Sequence, residues 1–272
     1  MLTAAQTDEL ERRGVVRLPA LVGPDVAAGV ADAVWALLAR RGIDRHDPAG
    51  WPAGRLSGLQ ALRQARVYAP FADPAHALAD HLLGPGAWVD MGQPQALVTF
   101  PEPGPWAVPD RMWHLDVPAR GDPDRPAAVR TIGLVEAVAA RGGATVVVEG
   151  SHELARRLVR ASATRDAGSS ARFRRRLRRH PWFRTLFGDG DGADRARLMA
   201  PADVDGVTVR VTELTGAGGD IWLLHPWLLH GLAPNAGSRI RSMCTHTVLA
   251  AAPGAGVSPP GSRPPTGTAA RG

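Results

Sequence analysis

From about residue 86 onward the chain is a series of short, β-branched runs closed by Pro or Gly. "AWVDMGQPQALVTF" (87–100), "AAVRTIGLVEAV" (127–138), "ATVVVEG" (144–150), "GVTVRVTEL" (206–214), "GDIWLL" (219–224) and "IRSMCTHTVL" (240–249) each read as strands. Runs this short, and this regularly punctuated, fit an all-β sandwich or barrel core rather than a helical bundle or an alternating α/β sheet. One helical insert, roughly 151–188, interrupts them.

The first 85 residues read differently. Thr3 and Gln6 form a capping-box pattern at the start of a helix over 3–13, and Gly14 suits its end. "VVRLP" (15–19) reads as a strand. In "GPDVAAGVADAVWALLARRG" (23–42), Val26, Val30, Val34, Leu37 and Leu38 share one helical face. Residues 44–54 are loop by their Pro and Gly content, and 73–84 read as a further helix. The closing stretch, 252–272, has too little apolar content to pack and is expected to be a disordered tail. The expectation is one domain over 1–251.

Composition narrows the function classes. The chain has 272 residues, 44% of them hydrophobic, with mean hydropathy −0.11, as expected of a globular chain with a sizeable core. No apolar run approaches a membrane span, and the N-terminus lacks the order of a secretory signal. The one cysteine, Cys244, makes no internal disulfide, so a reducing cytoplasm is expected. The net charge of +6 and pI near 11 suggest nucleic acid. Every basic residue other than histidine is arginine, however, which reads as codon bias more than a phosphate-binding patch. The field would still favour a small anionic ligand.

The chemistry gathers in two segments. "RMWHLDVP" (111–118) carries His114 and Asp116, two positions apart, so that on a strand end both side chains point the same way. "GDIWLLHPWLLHGLAPNAGSRIRS" (219–242) carries His225, His230, Arg239 and Arg241. Two histidines and a carboxylate on one face of a metal, with positions left open, suit a non-haem Fe(II) oxygenase. A 2-oxo acid can fill open positions, and an arginine fork suits its far carboxylate. His230 and Arg241 are eleven positions apart, enough to leave one strand, cross the turn "GLAPNAGS" and enter the next.

With these motifs in order, the chain resembles the phytanoyl-CoA dioxygenase (PhyH) family of Fe(II)/2-oxoglutarate-dependent oxygenases. The resemblance rests on four segments: the opening "TDELERRGVVRLPALVGPDVAAGVADAV", "WHLDVP", "GGATVVVEGSHEL" and the distal His, Pro-Asn and Arg segment. It implies a double-stranded β-helix (jelly roll, cupin-like) core with flanking helices. It implies iron held by His114, Asp116 and His230, and 2-oxoglutarate held by Arg241. The co-substrates would be 2-oxoglutarate and O2, with ascorbate as an accessory reductant. The expected reaction is hydroxylation of a small organic substrate, such as a secondary metabolite, with release of succinate and CO2. Asp116 argues against a halogenase variant. Leu115 departs from the Gln that many members have between the two ligands.

Other residues have competing readings. His225 precedes Pro226 and has no arginine eleven positions on, so it reads as core or as support behind a ligand. Strand alternation puts Arg239 and Arg241 on the same face and does not choose between them; the eleven-residue step favours Arg241. His152 reads as a turn residue, Asp220 as shaping entry to the distal strand, and Trp113 as packing or a wall of the site. Gln95 and Thr145 are candidate contacts to 2-oxoglutarate or substrate. In "ARFRRRLRRHPWFR" (171–184), Phe173 and Leu177 lie one helical turn apart, giving an amphipathic helix with a solvated basic face, an anion dock or a lid. Two rival functions follow: a cupin-like metalloenzyme without a 2-oxo acid, and a nucleic-acid binder using the arginine-rich insert. A repair-type dioxygenase is disfavoured because Thr247 stands where a second arginine is expected.

Overall fold

The structure, a computed structural model, describes residues 1–189 and 191–251; the expected tail at 252–272 lies outside them. The chain opens with α1 (Ala4–Arg13), β1 (Val15–Leu18) and α2 (Pro24–Ala39). It continues through β2 (Gly54–Arg55), α3 (Gln60–Gln64) and α4 (Ala72–Leu83). Then come β3 (Trp88–Asp90), β4 (Gln95–Phe100), β5 (Ala119–Arg120), β6 (Ala128–Leu134) and β7 (Thr145–Glu149). The insert supplies α5 (Ser151–Arg160), β8 (Asp166–Gly168), α6 (Ser170–Leu177) and α7 (Pro181–Arg184). After α8 (Gly192–Ala196) follow β9 (Ala202–Val204), β10 (Val207–Glu213), β11 (Ile221–Leu224), β12 (His230–Leu232) and β13 (Arg241–Ala250).

Two sheets carry the core. The larger runs β1-β11-β6-β13-β4-β2, with β3 also pairing β13; the smaller runs β12-β7-β10-β9. All the named strand pairs are antiparallel, as a jelly roll requires. The two sheets remain separate and do not close into a continuous barrel. Between them Val15, Ile132, Leu134, Val147, Trp222, Leu224 and Met243 form one buried cluster. Each such side chain contributes about 1.5–3 kcal/mol when fully buried.

Helices cover the outer faces. α2 and the segment around Tyr68 and Phe71 pack on the larger sheet. Gly133 on β6 is needed there, because a Cβ at this position would meet the Phe71 ring. The insert packs on the smaller sheet: Leu154, Val159, Phe173, Leu177 and Phe183 share a cluster with Val146 and Val148.

Most expected elements are present, with local differences. The capping box at Thr3 and Gln6 forms, and Gly14 ends α1 at φ 76°. Val26 is 48% exposed, because the buried stripe of α2 centres on Ala27, Val30, Ala31, Val34 and Leu38. The run at 87–100 is two strands, broken where Gly92 adopts φ 96°. The insert is not wholly helical: β8 pairs with β5. The basic run at 171–184 is also not one helix, because α6 stops at Leu177 and α7 restarts at Pro181.

Candidate active site

Strand alternation decides which side chains face the space between the sheets. On β13, Arg241, Met243 and Thr245 pair across to Thr99, Leu97 and Gln95 on β4. On the other side, Thr245 and Thr247 pair with Ile132 and Arg130 on β6. On the smaller sheet, His230 and Leu232 oppose Val147 and Thr145. Part of this face lines a cavity of about 140 Å³, walled by Arg55, Gln95, His114, Asp116, Arg130, Thr145, His230, Arg241 and Thr245 among others.

His114 and Asp116 reach the cavity from an irregular segment, not from the expected strand end. Residue 114 makes a single antiparallel bridge to residue 230. Behind this segment the insert acts as a brace: Ser170 Oγ accepts the Leu115 N–H at 3.0 Å, and the Arg174 guanidinium donates to the Trp113 carbonyl. Leu115 is buried in the cluster beneath the insert, so its side chain faces the core and not the cavity. Trp113 is also buried, packs in that cluster and donates its indole N–H to the Pro109 carbonyl at 2.7 Å. Next to it, Arg111, Arg174, Arg175 and Arg178 line a separate cleft of about 460 Å³. The basic face of α6 is therefore partly turned to the protein.

The three donor groups converge. His114 Nε2 lies 3.3 Å from Asp116 Oδ1, and His230 Nε2 lies 3.2 Å from Asp116 Oδ2. All three donor atoms lie within 4.8 Å of one another. Each imidazole has its Nδ1 at a backbone carbonyl, Met112 for His114 at 2.7 Å and Leu228 for His230 at 3.0 Å. That contact fixes the tautomer that leaves Nε2 free for a metal. Burial pushes the Asp116 pKa up, but His114, His230 and the Arg130 charge outweigh it and hold the carboxyl well below its ordinary value. The hydrogen bond with Asp116 raises the pKa of His114 against its desolvation.

Arg241 is the other buried charge. Its side chain is 1% exposed, and Nη2 donates to Thr99 Oγ1 at 2.6 Å. Its Nε and Nη1 have no hydrogen-bond partner, and burial pushes its pKa down to about 9. A buried cation with free donors is costly unless an anion arrives. Arg239 is exposed in the turn before β13, its carbonyl accepting from Asn235 Nδ2 at 2.8 Å. The strand begins after it, so alternation does not bring Arg239 to the cavity.

The remaining candidates separate cleanly. Thr145 is buried and Gln95 exposed, and both line the cavity. His225 lies instead against His152, with ring centroids 5.0 Å apart. His152 sits opposite the α1 carbonyl of Glu11, 2.9 Å from Nε2. Asp220 accepts the N–H groups of Ala20 and Ala217 at 2.8 Å each and pairs with Arg17, shaping the turn into β11. Sequence reasoning passed over Arg130. It reaches Asp116 Oδ2 at 2.7 Å and donates to Thr247 Oγ1 at 2.5 Å, through a register that no local motif announces.

The fold and this set of side chains define a class: jelly-roll oxygenases built around a mononuclear non-haem metal. Residues 10–243 match the family described as "Phytanoyl-CoA dioxygenase (PhyH)", and the chain belongs to that family of Fe(II)/2-oxoglutarate-dependent enzymes. No curated protein matches the sequence. Among solved structures, the chain is similar to AviO1 from Streptomyces viridochromogenes Tue57 at TM-score 0.52 and 20% identity, covering 95% of this chain and 100% of that one. The carbocyclase SnoK from nogalamycin biosynthesis, described as non-haem and α-ketoglutarate-dependent, is similar at TM-score 0.52 and 16% identity, covering 92% and 84%. HygX from Streptomyces hygroscopicus, solved with nickel and 2-oxoglutarate, is similar at TM-score 0.51 and 15% identity, covering 92% and 88%. No helix among the described residues is long and apolar enough to cross a membrane.

Proposed function

We propose that this chain is an oxygenase in which His114, Asp116 and His230 hold Fe(II) and Arg241 holds the far carboxylate of 2-oxoglutarate, and that it oxidises a small organic substrate. The observation that carries this reading is Arg241: fully buried, in the same cavity as the His-Asp-His set, with two donor groups unpaired. A cupin-like enzyme with no 2-oxo acid would have no use for such a cation. The donor set of two imidazole nitrogens and one carboxylate oxygen suits Fe(II) and leaves positions open.

The bound metal, with 2-oxoglutarate and O2, supplies the oxidative decarboxylation to succinate and CO2 and the oxidising power spent on the substrate. The protein's part is binding, orientation and exclusion of water. The Met112 and Leu228 carbonyls keep the two imidazoles in the ligating tautomer. Arg130 holds the Asp116 carboxylate in place. Thr99 fixes the Arg241 fork, which leaves Nε and Nη1 for a carboxylate. Thr145, buried, and Gln95, exposed, line the same cavity and are candidate contacts to 2-oxoglutarate or substrate. HygX, solved with nickel and 2-oxoglutarate or with iron bound, and SnoK, described as α-ketoglutarate-dependent, support the choice of co-substrate. The natural-product origin of SnoK supports a secondary metabolite as the substrate class.

The test is succinate release from 2-oxoglutarate in the presence of Fe(II), O2 and a panel of natural-product precursors. Release that depends on Fe(II) and disappears in His114→Ala is expected. An Fe(II)-loaded protein that gives no 2-oxoglutarate charge-transfer band and never forms succinate would overturn the reading.

A further inference from the structure

A second His-Asp-His cluster lies on the opposite face of the strand that carries Arg241. Alternation along β13 turns Arg241 and Thr245 inward, and turns Ser242, Cys244 and His246 outward beneath the helices. α4 packs over this outer face and brings His76 to it. β3 pairs with β13 in a register that sets Asp90 opposite Val248. His76 Nε2 lies 3.0 Å from Asp90 Oδ2, and His246 Nε2 lies 3.1 Å from Asp90 Oδ1. The three donor atoms lie within 4.8 Å of one another, as they do in the cavity cluster. In both clusters one carboxylate stands between two Nε2 atoms, each oxygen turned to a different imidazole.

A hydrogen bond joins His76 Nε2 to Asp90 Oδ2, but hydrogen bonding does not account for His246. The His246 side chain is 2% exposed. Its approach to Asp90 lacks hydrogen-bond geometry, and neither of its ring nitrogens has a hydrogen-bond partner. A buried imidazole with both nitrogens unpaired calls for a specific explanation. The other two groups are held in position from behind. Trp88 stacks on His76 with centroids 5.0 Å apart and donates its indole N–H to Asp80 Oδ1 at 2.7 Å. Asp90 Oδ1 accepts the Gly92 N–H at 2.9 Å.

We propose that His76, Asp90 and His246 form a second metal site, for a divalent ion of the zinc type rather than magnesium or calcium. Two imidazole nitrogens and one carboxylate oxygen suit zinc, whereas magnesium and calcium take oxygen ligands. The His76 and Asp90 side chains are 30% and 31% exposed, so water can complete a tetrahedral set. The ion would clasp α4 and β3 to β13 from outside, behind the strand that presents Arg241. Alternation turns Arg241 to the opposite face of β13 from this cluster, so its role is structural and not 2-oxoglutarate chemistry. His246 Nδ1 has no acceptor behind it, unlike His114 and His230, so this site binds more weakly than the cavity cluster and fills second.

The experiment is isothermal titration of untagged, metal-free, full-length protein with Zn(II). Two equivalents are expected for the wild type, one for His230→Ala, one for His76→Asn, and none for the double variant His76→Asn/His230→Ala. Zn(II) should also raise the melting temperature of His230→Ala, and that rise should vanish in the double variant. Circular dichroism confirms that each variant is folded; should His230→Ala misfold, the loss of one equivalent in His76→Asn and in Asp90→Asn is read against the wild type alone. Zinc uptake that is the same in His76→Asn, Asp90→Asn and the wild type overturns the proposal.

Discussion

His114 and His230 lie directly opposite each other and exchange both backbone hydrogen bonds, N–H to carbonyl at 2.8 and 3.1 Å. An antiparallel pair of this kind sends both side chains to one face, and the two imidazole centroids are 4.3 Å apart. One bridge, not a regular strand, therefore sets the separation of the two histidines. Each of His114→Ala and His230→Ala should lose the visible charge-transfer band formed with Fe(II) and 2-oxoglutarate, and with it Fe(II)-dependent succinate release. Anaerobic absorption spectra check the first and a coupled succinate assay the second. Retention of the band in either variant would remove that histidine from the ligand set.

Arg241→Met should act in opposite directions on binding and on stability. Losing a buried charge-assisted partner weakens 2-oxoglutarate binding by about 2–4 kcal/mol, or roughly 30- to 1000-fold. Replacing an unpaired buried cation by an apolar side chain of similar volume stabilises the empty protein, by about 1–4 kcal/mol. A rise of several degrees in the melting temperature without co-substrate, beside a large rise in KM for 2-oxoglutarate, is the expected pair of results. A fall in melting temperature with KM unchanged would mean that the Arg241 charge serves the fold and not the co-substrate.

Gly14 should not tolerate a side chain. Its φ of 76° is left-handed, and an added Cβ would meet the His152 ring and Leu228. Its carbonyl accepts the His225 N–H at 2.8 Å, which ties the end of α1 to the segment leading into His230. Gly14→Ala should cost about 2–4 kcal/mol from backbone strain and overpacking together. Urea unfolding of the two proteins measures it.

Glu149 gathers three partners: Arg13 at 2.8 Å, Arg210 at 3.0 Å and Thr212 Oγ1 at 2.5 Å. Burial pushes its pKa up, but the hydrogen bonds from Arg13, Thr212 and Arg210 outweigh that and lower it overall. A lowered carboxylate pKa stabilises the fold above the unfolded value and loses that contribution as pH falls through the folded value. Both arginines are partly exposed, so Glu149→Gln should cost about 1–2 kcal/mol at neutral pH. The gap in melting temperature should narrow below about pH 4. A gap that stays constant from pH 7 to pH 3 would contradict this assignment.

The four residues that meet in the cavity were legible because their signals are local: a histidine and an aspartate two positions apart, and a histidine and an arginine separated by one turn. The choice of Arg241 over Arg239 was not legible from alternation, because it depends on where β13 begins. Arg130 was hidden for a related reason. It lies beside Asp116 through β6 register, and nothing in its neighbours marks it. The cluster of His76, Asp90 and His246 draws on a helix and two strands whose spacing in sequence carries no motif. β5, β8, β9 and β12, of two or three residues each, are too short for a period-two pattern to show. Their positions follow from tertiary pairing alone.

β13 is read on both faces, and that makes its alignment chemically visible. A slip of one residue would turn Ser242, Cys244 and His246 toward the cavity and drive the Arg241 guanidinium under the helices. A misaligned chain would thus lose the buried Arg241 of the cavity and the outer imidazole in a single error. Correct pairing of this one strand can be followed in a folding mixture as the fraction of chains that bury Arg241 and His246 together.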